Sequence, residues 1–131
     1  MGKVYERLET ALAAVRKKTD FVPRVGLVLG SGLGDFAETS MEVVAEVFYR
    51  DIPGFPVSTA PGHKGRYVFG YVGKTPVVCM QGRVHYYEGY DMEDVVLPER
   101  LMGLMGADVI FLTNAAGGIN SDFHAGDLML L

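Results

Sequence analysis

The stretch with the most chemical potential is QGRVHYYEGY (81–90), which directly follows the apolar run TPVVCM. Arg83 and His85 stand at positions i and i+2, so on an extended chain their side chains face the same side, and Tyr87 continues that face. A guanidinium binds two phosphate oxygens at once, and an imidazole beside it can donate one more hydrogen bond. The spacing therefore predicts an oxyanion site next to an aromatic ring. The structural alternative is a salt bridge from Arg83 to Glu88 with the tyrosines in the core, and Glu88 is given no catalytic role.

A second candidate is the glycine-rich segment GSGLGD (30–35). Backbone N–H groups in such a loop, together with a helix N-terminus, form an anion site, and the hydroxyl of Ser31 can join them. The glycine spacing does not fit a dinucleotide-binding fingerprint, and the lysine of a P-loop is absent. A tight structural turn is the alternative interpretation.

The third candidate is APGHKGR (60–66), in which His63 stands in a loop rich in glycine. A core position is improbable for a histidine there, so we predict either a ligand-binding imidazole or an exposed one. Lys64 and Arg66 are expected to be solvated loop charges.

Helices and strands must position these loops, and the hydrophobic pattern predicts them in alternation. An amphipathic helix is predicted at the start from the apolar positions Val4, Leu8, Ala11, Leu12 and Val15. Strands are predicted at 24–30 and 41–49, and a β-hairpin turns at Gly73-Lys74.

The second half of the chain continues the alternation. A helix is expected over 92–107, disturbed by Pro98, followed by a buried strand that ends at Asn114. The residues GDLMLL (126–131) are expected to begin a further strand. The chain is thus predicted to be an α/β protein with a central mixed, largely covered β-sheet flanked by helices.

Composition restricts the class of protein. The chain has 131 residues, of which 49% are hydrophobic and 21% charged, which suits one folded domain. A formal net charge of -4 argues against a nucleic-acid partner. The sequence shows neither a signal peptide nor an apolar stretch of membrane-spanning length, and the lone Cys79 fits a reducing compartment and a core position. We therefore expect a cytoplasmic protein without a membrane partner.

The three parallel-strand ends GSG, QGRVH and NAAGG would meet at one edge of the sheet, where ligands bind in α/β folds. The inventory there is rich in hydrogen-bond donors and holds no carboxylate cluster, so no metal site is predicted. Inorganic phosphate with a small substrate that tolerates aromatic contacts is the ligand set this inventory favours.

The motifs GSGLGDF, PGHKGRYVFG, QGRVHYYEGY and TNAAGGIN, in this order and at these separations, resemble the trimeric class of purine nucleoside phosphorylases. The resemblance implies reversible phosphorolysis of a purine nucleoside to free base and pentose 1-phosphate, with phosphate as co-substrate and no cofactor. It also implies a homotrimer for the full-length enzyme.

Carried over motif by motif, the resemblance assigns the phosphate site to Ser31, His63, Arg83, His85 and the backbone amide of Ala115, with Arg83 and His85 as the catalytic pair. It assigns nucleoside contacts to Tyr87 and to the loop residues Ala115, Ala116 and Gly117. Asn114 is expected to be structural.

Members of that family are about twice as long as this chain. Residues 1–131 therefore resemble the N-terminal part of a single phosphorylase domain, without a second domain and without the residues that read the purine. We expect the isolated chain to be inactive and, because apolar strand edges are left exposed, to associate or aggregate.

Three other interpretations of the sequence differ in how well they fit its motifs and length. A methylthioadenosine phosphorylase-like enzyme shares the fold and the reaction type but differs in the two loop motifs PGHKGR and QGRVHYYEGY. An inactive phosphate-binding fragment is compatible with the chain length. A nicotinamide-binding domain is disfavoured by the glycine spacing.

Overall fold

A computed structural model describes residues 2–57 and 64–131. The helices and strands, in chain order, are α1 (Lys3–Arg16), β1 (Val25–Val28), α2 (Phe36–Ser40), β2 (Glu42–Phe48), β3 (Arg66–Val72), β4 (Thr75–Gln81), α3 (Met92–Met105) and β5 (Val109–Leu112). Two short 3-10 turns lie at Tyr49–Asp51 and Tyr86–Glu88.

Within the described ranges the strands form one mixed sheet in the order β2-β3-β4-β1-β5. Strand β1 is parallel to both β4 and β5, with Val25 paired to Val77 on one side and to Val109 on the other. Strands β2, β3 and β4 are antiparallel, and Gly73, at φ +60°, occupies the turn between β3 and β4. The predicted hairpin, the parallel strands and the mixed sheet are confirmed.

The two faces of the sheet are covered by different helices. Alternate residues of β3 and β4 point to opposite faces. One face packs with α1 and α3 in a core that includes Tyr67, Phe69, Val78 and Met80. The other face contributes Cys79 and its neighbours to a smaller cluster beneath α2. Cys79 is fully buried, as expected, and burial raises the pKa of its thiol to about 12.

Helix α1 has the predicted amphipathic pattern, with Leu8, Ala11 and Val15 buried. Its last turn is joined to α3, because the guanidinium of Arg16 donates a 2.8 Å hydrogen bond to the carbonyl of Met105. None of the helices in the described ranges is long and apolar enough to cross a membrane.

Helix α3 runs through Pro98 without interruption, so the expected disturbance is wrong. A proline removes one backbone hydrogen bond and crowds the preceding turn. Here that cost is offset by burial, since Leu101 and Met102, one turn later, are fully buried. The Pro98 carbonyl also accepts a 2.8 Å hydrogen bond from the hydroxyl of Tyr67 in β3.

The strand expected at 126–131 is not formed, and this prediction is wrong. Leu128, Met129, Leu130 and Leu131 lie outside any helix or strand and are 70–100% exposed. A strand forms only where another strand satisfies its backbone groups, and this segment pairs with none in the described ranges. Apolarity and β-propensity alone do not supply that partner.

Candidate functional site

A cavity of about 310 Å³ opens where β1 and β4 end. Its described lining comes from the glycine-rich loop, from Lys64 just before β3, and from the end of β4 with the segment that follows: Leu29, Gly30, Ser31, Gly32, Gly34, Asp35, Lys64, Gln81, Gly82, Arg83 and His85. Parallel β1 and β4 deliver their loops to the same edge, as the sequence predicted.

The glycine-rich loop is a tight connection between β1 and α2. Gly32 has φ +85°, a conformation that favours glycine, and the amide of Leu33 donates to the carbonyl of Gly30. The loop also touches the end of β5, because the amide of Gly30 donates a 2.8 Å hydrogen bond to Thr113 Oγ1. A Cβ on Gly30 would lie 2.6 Å from the Thr113 carbonyl oxygen, so this close approach needs glycine.

Arg83 and His85 face each other across the segment after β4. Arg83 Nε donates to His85 Nε2 at 3.4 Å, and the backbone amide of His85 donates to Glu88 Oε2 at 2.7 Å. His85 Nδ1 lies 3.7 Å from the same carboxylate oxygen. Glu88 therefore holds His85 in place.

Tyr87 does not continue an extended face, and that part of the prediction is wrong. The chain enters the 3-10 turn Tyr86–Glu88 directly after His85. The ring of Tyr87 instead stacks on the imidazole of His85, with centroids 4.7 Å apart and planes 15° from parallel. Its side chain is 81% exposed, so the ring also offers a free face beside the cavity.

The rim of the cavity is formed by a cluster of hydrogen-bonded side chains, namely Lys64, Arg66, Glu38 and Gln81. Lys64, which lines the cavity, is paired with Glu38 of α2. Arg66 is bonded to Glu38, Glu46 and Gln81, and its side chain is 19% exposed. The expectation of solvated loop charges is thus wrong for Arg66, because β3 begins at this residue and places it over the end of β4.

Glu38 is the common partner in this cluster. The hydrogen bond from Lys64, with a further one from Gln81, lowers the pKa of the Glu38 carboxyl from 4.5 to about 2. Glu38 is therefore ionised at any neutral pH, although the side chain is 39% exposed and solvent screens its interactions.

The structure brings three of the predicted site residues together, since Ser31, Arg83 and His85 all line the cavity. His63 lies outside the described residues. Ala115, Ala116 and Gly117 follow β5 as an exposed segment and are not among the described residues of the lining. Asn114 donates a 3.3 Å hydrogen bond to the carbonyl of Ala115.

Two participants were missed from the sequence, namely Gln81 and Glu38. Gln81 carried a signal, because a polar residue closes an otherwise apolar strand at the carboxyl end of the sheet. Glu38 carried none, since a glutamate in a short helix is usually a solvated charge.

This site is suited to an oxyanion. A guanidinium, an imidazole, an ammonium and the Ser31 hydroxyl offer donors to one space, opposed within the lining by the carboxylate of Asp35. Among the described residues, no group of three or more His, Cys, Asp or Glu side chains is placed to hold a metal ion.

The sequence and the mixed sheet have clear counterparts among known proteins. The sequence profile of the Phosphorylase superfamily matches residues 24–131, and the chain belongs to this superfamily.

Within the superfamily the chain is similar to purine nucleoside phosphorylases. It is 47% identical over 126 residues to purine nucleoside phosphorylase 1 of Bacillus subtilis, covering 96% of this chain and 46% of the relative. It is 45% identical to the purine nucleoside phosphorylase of Anopheles gambiae, covering 100% of this chain and 37% of the relative.

A solved structure of isoform 2 of the Schistosoma mansoni purine nucleoside phosphorylase, in complex with cytosine and ribose-1-phosphate, superimposes with a TM-score of 0.82 at 41% identity. The match covers 94% of this chain and 43% of that one. The chain therefore spans less than half the length of these relatives.

Proposed function

We propose that this chain binds inorganic phosphate in the cavity between the glycine-rich loop and the Arg83–His85 segment. In the protein to which it contributes, that phosphate attacks a purine nucleoside. The observation that carries the proposal is the convergence of Ser31, Arg83 and His85 on one cavity. The similarity to purine nucleoside phosphorylases supplies the reaction class.

The reaction is a displacement at the anomeric carbon of the pentose. A phosphate oxygen forms a bond to that carbon, the bond from the carbon to the purine nitrogen breaks, and its electron pair leaves with the base, which takes up a proton. Phosphate held rigidly beneath the sugar supplies proximity, and its negative charge stabilises the positive charge that develops on the pentose. The products are a free purine and a pentose 1-phosphate.

Arg83 and His85 act as the catalytic pair. The guanidinium of Arg83 binds two phosphate oxygens through paired hydrogen bonds and so orients the anion for attack. His85 Nε2, which accepts from Arg83 in this structure, becomes a donor to a phosphate oxygen when the ring takes up a proton. Glu88, whose carboxylate lies 3.7 Å from Nδ1 and accepts from the His85 backbone amide, orients the ring.

The remaining contacts extend the site toward the sugar and base. We assign His63 and the amide of Ala115 to phosphate, and Tyr87, Ala116 and Gly117 to the nucleoside. Support for Tyr87 comes from its ring stacked on His85 with one face free. The segment after β5 is close to the glycine-rich loop, because Thr113 Oγ1 accepts a hydrogen bond from the amide of Gly30.

The whole protein is further proposed to work as a cytoplasmic homotrimer without a cofactor. For the 131-residue chain alone, a phosphate-binding but inactive fragment is the second candidate. It is favoured by the chain's coverage of 46% of the Bacillus subtilis relative and by the exposure of Ala115–Gly117.

Titration of the chain with inorganic phosphate, followed by ³¹P NMR or calorimetry, tests the site. Arg83→Ala should weaken binding about 10- to 100-fold, since a charged hydrogen-bonding partner is lost. Arg100→Ala, which removes an equal charge from the exposed surface of α3, should leave the affinity unchanged. Equal affinity in wild type and Arg83→Ala would refute the assigned site.

Release of hypoxanthine from inosine, measured with and without phosphate, tests the reaction. We expect the 131-residue chain to bind phosphate without turnover. Turnover that requires phosphate and disappears in Arg83→Ala would mean that the fragment is a complete enzyme.

A further inference from the structure

Gln81 is the buried polar side chain of the core. It is 3% exposed, and no other polar or charged residue in the described ranges is buried to this degree. It is the last residue of β4, two positions before Arg83, and the chain turns at Gly82, where φ is +103°. A buried amide is costly unless its hydrogen bonds are made, so its partners are informative.

The side chain of Gln81 points toward α2 and not toward the segment with Arg83 and His85 that follows β4. Because neighbours on a strand alternate, Gln81 shares the face of Cys79, whereas Met80 belongs to the opposite core. This direction brings the amide under the glycine-rich loop and α2.

Both hydrogen atoms on Nε2 and the oxygen Oε1 of the Gln81 amide take part in hydrogen bonds. Nε2 donates to the carbonyl of Gly34 at 2.7 Å and to Glu38 Oε2 at 2.9 Å. Oε1 accepts from Arg66 Nε at 2.7 Å. A glutamate could accept from Arg66 but could not donate to Gly34 or Glu38, and an apolar side chain could do neither, so this pattern requires an amide.

We propose that Gln81 is a positioning residue that sets the spacing between the two halves of the anion site, the glycine-rich loop with Ser31 and the segment with Arg83 and His85. Its backbone belongs to the second half, and its side chain holds the first. The inference rests on the proposed phosphate site, which both halves line.

Glu38 and Arg66 complete the hydrogen-bond network around the Gln81 amide. The Glu38 carboxylate accepts from Gln81 and from Arg66 at 2.8 Å, and Arg66 in turn fixes the Gln81 oxygen. The closed set of bonds defines one orientation for the amide, so the loop is held at one distance from Arg83. A catalytic anion site needs this precision, since small displacements of its donors weaken it strongly.

The variants Gln81→Met and Gln81→Glu, compared with Cys79→Ala, test the proposal. Cys79→Ala removes a buried side chain from the same face of the same strand and leaves the amide bonds intact. Two quantities are measured on each folded chain: hydrogen exchange of the bonded amides of Leu33, Phe36 and Thr39, and phosphate affinity. Circular dichroism verifies folding, and the free energy of unfolding is matched by adding urea to the more stable variant.

We expect Gln81→Met to speed exchange in the glycine-rich loop and α2 about tenfold or more over Cys79→Ala, and to weaken phosphate binding about tenfold. Gln81→Glu should resemble Gln81→Met, because the donated bonds are lost. Equal loop exchange in Gln81→Met and Cys79→Ala would overturn the proposal, as would faster exchange with unchanged phosphate affinity. If the wild-type chain does not bind phosphate, the proposed function fails for this chain, and loop exchange alone decides whether Gln81 sets the spacing.

Discussion

The cavity lined by Ser31, Arg83 and His85 and the segment after β5 were both predicted to carry ligand-binding residues, yet they are built differently. At the rim, Gln81 is 3% exposed and Arg66 is bonded to three partners. After β5, residues 114–131 form no helix or strand, and Ile119 and Leu128 are fully exposed. The proposed phosphate side of the site is thus supported by contacts within this chain, whereas the proposed nucleoside side is not.

The difference follows from the position of the two regions in the sheet. Strand β4 is central, with β3 on one side and β1 on the other, and helices cover both of its faces. Strand β5 is an edge that pairs with β1, and its side chains are 38–64% exposed. A loop that follows a central strand is anchored by a strand that is hydrogen-bonded on both sides and covered on both faces. A loop that follows an uncovered edge strand lacks these contacts.

The largest expected effect on stability comes from removing a buried leucine, and an exposed leucine in β5 provides the comparison. Leu101→Ala in α3, where the side chain is fully buried, should lower the free energy of unfolding by about 2–5 kcal/mol. Leu112→Ala in β5, where the side chain is 64% exposed, should change it by less than about 0.5 kcal/mol. Urea unfolding followed by circular dichroism measures both.

A cost above about 1 kcal/mol for Leu112→Ala would break the comparison, because it would mean that β5 is covered in solution. Light scattering over a range of concentrations then decides between copies of this chain on that edge and a rearranged monomer. A clean monomer by the same measurement would count against the expectation that the isolated chain associates.

Contact between the two regions is tested at Gly30. Gly30→Ala should destabilise the chain by about 1–3 kcal/mol, because the added Cβ would lie 2.6 Å from the Thr113 carbonyl and would push the ends of β1 and β5 apart. Gly117→Ala is the matched control, since its Cβ would meet nothing within 4 Å, and it should be close to neutral. Thermal unfolding measures both variants.

Equal melting temperatures for the Gly30 and Gly117 variants would show that the end of β5 moves freely away from the glycine-rich loop. The proposed contribution of the Ala115 amide to the phosphate site would then lose its structural support.

Much of the fold could be predicted because it depends on local pattern. Apolar spacing gave α1, continuous apolar runs gave β1 and β5, and the Gly73 turn gave the hairpin. The errors concern tertiary contacts. Strand β5 was expected to be buried, but all four of its residues are exposed because no helix in the described ranges covers this edge. Pro98 is accepted because α3 is packed on both turns around it, and the strand expected at 126–131 is missing because it has no partner.

The candidate site could be predicted in part, because residue type and spacing along the chain are also local features of the sequence. Residue type and spacing placed Ser31, Arg83 and His85 at one edge of the sheet, and the cavity confirms their proximity. The bonds of Gln81 and Glu38 join segments 43 positions apart in sequence, so no local pattern contains them. Tyr87 reaches His85 through a turn that the extended spacing did not predict.

The smallest expected effect concerns the acid sensitivity of the rim. The pKa of Glu38 is lowered from 4.5 to about 2, so its ion pairs contribute stability that is fully present above pH 4.5 and is lost as the pH falls toward 2. Glu38→Gln should therefore show a shallower loss of stability than wild type over this interval. The difference should be small and should shrink with added salt, because the carboxylate is 39% exposed. Glu9→Gln on the exposed surface of α1 removes the same charge and serves as the control. Parallel pH profiles for wild type and Glu38→Gln would mean that the bonds from Lys64 and Arg66 do not hold the rim, and that its rigidity comes from Gln81 and the buried strand beneath it.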